Sequence, residues 1–176
     1  NVDTSSRILC YDIRDLGKQL QPVGMLVVLD SVFNRIIRNR KLGKSTWVYI
    51  DEIYLLFQHE YSANFLFTLW KRVRKYGACC TGLTQNVDDL LQSHTARTML
   101  ANSEFLVMLN QAATDRAELA NLLNISDNQL SYITNVDSGR GLIKCGSAIV
   151  PFMNSFPKNR LYQLMTTRPS ETMAAA

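Results

Sequence analysis

Asp51 and Glu52 stand side by side at the end of the apolar run Trp47-Val48-Tyr49-Ile50. Adjacent carboxylates in such a place suit two tasks. One can hold Mg²⁺, which favours one or two carboxylates together with phosphate oxygens and water. The other can orient and polarise a water attacking a phosphoryl group. On that division Asp51 is the metal and nucleotide residue, and Glu52 is the base and a second nucleotide contact. A charged pair leaving a core strand is also commonplace, so the assignment depends on what surrounds it.

Four apolar, β-branched or aromatic residues followed at once by carboxylates read as a buried strand opening onto a ligand crevice. This is the pattern of a Walker B strand. One helix and one strand later comes Thr84-Gln85-Asn86. A right-handed crossover of that length places Gln85 at the C-terminal end of a neighbouring parallel strand, facing the same crevice. A glutamine there can hydrogen-bond the γ-phosphate or the attacking water, although a polar residue leaving a strand is also ordinary turn chemistry.

The basic cluster Lys71, Arg72, Arg74 and Lys75 precedes Gly77. Cations suit the last turns of a helix. A crossover helix ends at the edge of the sheet opposite the crevice, so an arginine here is badly placed for its own subunit's phosphate. It is better placed for a neighbour's, as an arginine finger in trans, with Arg74 the first candidate and Arg72 the second.

The elements that must position these residues alternate. Ile8 to Tyr11 reads as a short strand. Pro22 opens a helix in which Met25, Leu26, Leu29, Phe33, Ile36 and Ile37 recur at helical spacing. After the strand ending at Asp51, a second helix runs from about Tyr61 to Tyr76, stopped by Gly77. Ala78 to Thr84 and Glu104 to Leu109 are further strands. The alternation implies an α/β fold, a parallel sheet with helices on both faces. Beyond Asn110, Thr114-Asp115-Arg116 can start a helix and Ser126 can cap another. A β-hairpin covers about residues 138–156, with its turn at Gly146-Ser147. No linker or repeat divides the chain, which reads as one partial domain over residues 1–176.

Composition sets the outer bounds. At 176 residues, with 47% hydrophobic and 19% charged residues, the chain can bury about 70% of the surface that its unfolded form exposes. Disorder is excluded, no apolar run reaches the length of a membrane span, and no signal-peptide pattern opens the sequence. The expectation is a soluble, intracellular protein. Cys10, Cys79, Cys80 and Cys145 show no metal-ligand spacing and read as reduced core residues. The net charge of +4 is modest.

Gly43-Lys44-Ser45-Thr46 looks like the end of a phosphate-binding loop. That loop requires a glycine five residues before Gly43, where Arg38 stands, and it requires a strand before and a helix after, the reverse of the order here. Gly139-Arg140-Gly141 lacks the Lys-Ser/Thr pair. The chain has no Walker A.

Trp47 to Phe57 with its Asp-Glu pair, Arg74-Lys75-Tyr76-Gly77 leading into Thr84-Gln85, and Ser138-Gly139-Arg140-Gly141-Leu142-Ile143 resemble one family in combination. They look like the C-terminal RecA-like motor domain of the large conjugative type IV secretion ATPase. That is the fourth VirB component, TraC-like, of the FtsK/HerA branch of P-loop NTPases. Val150-Pro151-Phe152, Leu161-Tyr162 and Thr166 to Glu171 are similar to its ending. The resemblance implies an ATP- and Mg²⁺-dependent hexameric motor at the cytoplasmic face of the membrane. It would work with other secretion subunits, energising channel assembly or the transfer of substrate or DNA. It also implies a P-loop strand upstream, lying between the Ala78 and Glu104 strands, which this chain lacks. A DNA translocase of the same branch, with phosphate contacts from Arg35 to Lys44 and Lys71 to Lys75, and a non-catalytic docking module are the other readings.

Overall fold

The computed structural model describes residues 5–166 apart from Arg14, Lys18 and Asn86. The chain forms two compact units, residues 1–100 and 101–176. Thr167 to Glu171 and the Ala174 to Ala176 tail lie outside the described residues.

In the first unit, helix α1 (Gln21–Lys41) begins with proline in its first turn and ends with Arg38, Arg40 and Lys41, as the helix dipole favours. Its apolar stripe buries Met25, Leu29 and Ile36. Strand β1 (Thr46–Ile50) follows a turn at Gly43, whose φ of 67° suits glycine. Helix α2 (Glu60–Arg72) buries Ser62, Ala63, Leu66 and Leu69. It tightens into a 3₁₀ turn over Val73–Tyr76, and Gly77 closes that turn in the left-handed region at φ 64°. The expected single helix to Tyr76 therefore ends in a narrower turn, a common form for a last helical turn.

Strand β2 (Ala78–Gly82) pairs with β1 in parallel, from Thr46 with Ala78 to Ile50 with Gly82. Two short helices close the unit, α3 (Val87–Gln92) and α4 (His94–Ala101). Leu66 is fully buried among Met25, Leu29, Ile53, Leu56, Leu90 and Met99, while Ile36, Leu69, Val73 and Ala78 form a second cluster with Phe33 and Val48 against it.

Burial alternates along β1. Val48 and Ile50 face the packed side, whereas Trp47 and Tyr49 on the other side are 65% and 67% exposed. Their register partners Cys79 and Thr81 are exposed too. The two-stranded sheet is thus apolar on both faces, as parallel strands usually are, yet one face is bare.

Two expectations are corrected here. Ile8 to Tyr11 forms no strand. No other strand pairs with it among the described residues, Ile8 is 82% exposed, and the Tyr11 hydroxyl shares a 2.8 Å hydrogen bond with Ser31 Oγ on α1. The cysteines are all free, but Cys10, Cys79 and Cys145 are exposed and Cys80 is half-buried. Adjacent residues on a strand point to opposite faces, so Cys79 and Cys80 cannot share one environment. Burial, reinforced by the neighbouring Cys79, pushes the Cys80 thiol from 9.0 up to about 12.

The second unit is a three-stranded antiparallel sheet in the order β3, β4, β5. Strand β3 (Phe105–Met108) leads into helix α5 (Ala113–Leu123) and the single turn α6 (Asp127–Leu130). That turn has a full capping box between Ser126 and Gln129. The hairpin of β4 (Arg140–Cys145) and β5 (Ala148–Met153) falls where the Gly-Ser turn places it, with Gly146 at φ 57°. Leu142 and Ile133 are fully buried. A Cβ on Gly141 would collide with the Met108 carbonyl and the Phe152 ring. Gly139, at φ 85°, approaches the Asn154 carbonyl just as closely, so both glycines of this motif are explained by packing. Helix α7 (Arg160–Met165), capped by Asn159, ends the described chain.

Candidate functional site

Hydrogen bonding between the two parallel strands continues past their C-terminal ends. The Leu83 N–H donates to the Ile50 carbonyl at 2.8 Å, and the Ile53 N–H donates to the Leu83 carbonyl at 2.9 Å. This clasp holds Asp51-Glu52 beside Thr84-Gln85, so the structure brings together the three crevice residues that the sequence singled out.

Glu52 takes a left-handed backbone, φ 48° and ψ 49°, which costs a non-glycine residue about 1 kcal/mol. The sharp turn ends β1 and starts the 3₁₀ turn Ile53–Phe57, whose Ile53 and Leu56 anchor it in the core. Asp51 Oδ1 accepts the Glu52 N–H at 3.1 Å. The Gln85 N–H approaches Glu52 Oε2 at 3.5 Å, at the long end of hydrogen bonding. Asp51 and Gln85 are exposed and Glu52 is half-buried. The left-handed turn escaped the sequence reading because glutamate has no preference for it; only a glycine or asparagine there would have signalled one.

Among the described residues there is no group of three or more His, Cys, Asp or Glu side chains that could hold a metal by itself. An adjacent carboxylate pair on a clasped strand end suits Mg²⁺ instead, because that ion keeps several waters and takes phosphate oxygens as further ligands. The donor set fits half of a nucleotide site.

Arg72 and Arg74 are exposed and lie at the opposite edge of the sheet, where Gly77 leads into β2 and its carbonyl accepts from the Thr46 N–H at 3.3 Å. Five residues of strand span roughly 16 Å, so neither arginine joins the Asp51 crevice of its own chain. The Gly43-Lys44-Ser45-Thr46 segment is a turn between helix and strand, with Thr46 Oγ1 accepting from Asn39 Nδ2 at 2.9 Å.

Carboxylates at the C-terminal edge of parallel strands stand where open α/β sheets bind their ligands. The TraG P-loop domain model matches residues 5–143, and the chain belongs to that family. Its fold is similar to the structure of VirB4 of Thermoanaerobacter pseudethanolicus, with a TM-score of 0.73 and 25% sequence identity over 83% of this chain. The match spans 40% of that VirB4 chain. No curated protein matches the sequence. Family and fold together support a VirB4/TraC-like type IV secretion ATPase domain, as the sequence motifs imply. Among the described residues no helix is long and apolar enough to cross a membrane.

Proposed function

We propose that this chain is the Walker B half of an ATP-hydrolysing motor subunit in a conjugative type IV secretion system. The observation that carries the reading is the clasped edge itself, where Glu52 is held in a strained turn beside both Asp51 and the Gln85 backbone. Strain of that kind is characteristic of functional positions.

Asp51 would hold Mg²⁺, and Glu52 would orient and deprotonate the attacking water. Gln85 would contact the γ-phosphate or that water, relaying hydrolysis into β2. Bound Mg²⁺–ATP supplies the phosphoryl group and neutralises its charge. A phosphate-cradling loop would complete the site.

Arg74, with Arg72 second, would reach the phosphate of an adjacent subunit in a hexameric ring. The motor would sit peripherally at the cytoplasmic membrane with other secretion subunits and drive channel assembly or the transfer of substrate or DNA. Glu52→Gln in the full-length protein tests the proposal. Hydrolysis should fall on the order of a hundredfold or more while nucleotide binding persists. Unchanged hydrolysis would overturn the motor reading, and unimpaired secretion by the variant would favour a docking module.

A further inference from the structure

One buried hydroxyl has no part in the reaction proposed above. Ser62, in the first turn of α2, is 2% exposed and is the one buried polar residue among the described ones. Its Oγ lies within hydrogen-bonding reach of two carbonyls, Leu56 at 2.5 Å and His59 at 3.0 Å. A hydroxyl has a single proton to donate, so the two carbonyls share it.

The His59 contact is ordinary. A serine in a helix commonly bonds the carbonyl three or four residues back, and the His59 carbonyl also accepts the Ala63 N–H at 3.0 Å. The Leu56 contact is of another kind. It reaches six residues back, out of α2 and into the 3₁₀ turn Ile53–Phe57 that begins directly after Glu52. That turn holds Glu52 from its C-terminal side, with the Leu55 N–H donating to the Glu52 carbonyl at 3.0 Å. Ile53 and Leu56 share a core cluster with Leu66 of α2. Apolar contact is non-directional and leaves the rotation of so short a turn unset, whereas a hydrogen bond to a buried carbonyl fixes it. The strand clasp at Leu83 thus secures one side of Glu52, and the Ser62 bond secures the turn on the other.

We infer that Ser62 is a positioning residue for Glu52: its bond to the Leu56 carbonyl ties the turn after β1 to α2 and so sets where the Glu52 carboxylate stands. The inference rests on the role of Glu52 proposed above. Because Glu52 acts on the attacking water, a displaced carboxylate weakens the transition state and leaves nucleotide binding at Asp51 as it was. A shift of about 1 Å suffices to cost on the order of a hundredfold.

The experiment is steady-state hydrolysis of Mg²⁺–ATP by the full-length protein carrying Ser62→Ala. The kcat should fall about ten- to a hundredfold with KM unchanged. Ile36→Val, which trims a buried side chain in the other core cluster, is the control for lost stability and should keep its kcat. In a Glu52→Gln background, Ser62→Ala should lower the residual rate no further, since the two substitutions act through one group. Circular dichroism checks folding. If Ser62→Ala unfolds, Ser62→Cys takes its place, because a thiol keeps the volume but is a weak donor, and kcat should fall in the same way. A raised KM at unchanged kcat, a fall in kcat no greater than that of Ile36→Val, or a further loss in the Glu52→Gln background would each overturn the inference. Full hydrolysis by Glu52→Gln alone would instead overturn the motor reading, and this inference with it.

Discussion

Gly82, the last residue of β2, lies directly against Ile53, the first residue after Glu52: a Cβ at position 82 would stand 2.5 Å from Ile53 Cδ1, 3.2 Å from its Cγ2 and 3.4 Å from its Cβ. Ile53 is 5% exposed and is itself hydrogen-bonded to the Leu83 carbonyl, so it has little room to yield. The carboxylate edge is therefore braced from the neighbouring strand. Gly82→Val should destabilise the chain by about 1–3 kcal/mol through overpacking and should lower ATP hydrolysis in the full-length protein, because the shift passes to Glu52. Urea denaturation and a phosphate-release assay measure the two effects. A stable variant with full activity would show that the brace is dispensable.

Glu52 separates stability from activity. Glu52→Gly removes the left-handed strain and should stabilise the chain by about 1 kcal/mol while abolishing hydrolysis. Glu52→Gln should leave stability near its original value with the same loss of hydrolysis. A Glu52→Gly variant less stable than the parent would mean that the carboxylate's contact with the Gln85 N–H outweighs the strain.

Gly141→Ala should be among the costliest single-atom changes in the second unit. The added methyl meets the backbone carbonyl of Met108 and the Phe152 ring, and a carbonyl on a paired strand cannot turn aside without breaking the β3–β4 ladder. A loss of about 2–4 kcal/mol is expected, read as a lowered denaturation midpoint.

The cysteines should react unequally. With the fold intact at mildly alkaline pH, Cys10, Cys79 and Cys145 should take up a thiol reagent, while Cys80, held protonated and half-buried, should react only on unfolding. Because the Cys80 pKa is raised from 9.0 to about 12 by folding, its thiol favours the folded state below pH 9 and that contribution fades as pH rises toward 12. Labelling of all four at equal rates would contradict the placement of Cys80.

The alternation of elements, the Asp51-Glu52 strand end, the position of Gln85 beside it and the C-terminal hairpin were legible in the sequence, because each depends on local period and turn chemistry. Ile8 to Tyr11 misled for a physical reason: an apolar run becomes a strand only with a partner, and none is supplied among the described residues. The cysteines misled because small-residue burial was read from an apolar stretch without its alternation; on β2 that alternation turns Cys79 outward and Cys80 inward. The strain at Glu52 and the brace at Gly82 are tertiary relationships between strands 30 residues apart, to which no local pattern points.

The bare side of β1 equips the molecule with an optical reporter. Trp47 stands 65% exposed while the other tryptophan, Trp70, is half-buried against the core. Emission from Trp47 is consequently that of an indole in water, and any polypeptide that comes to lie over this face will shift it to the blue without a label being attached.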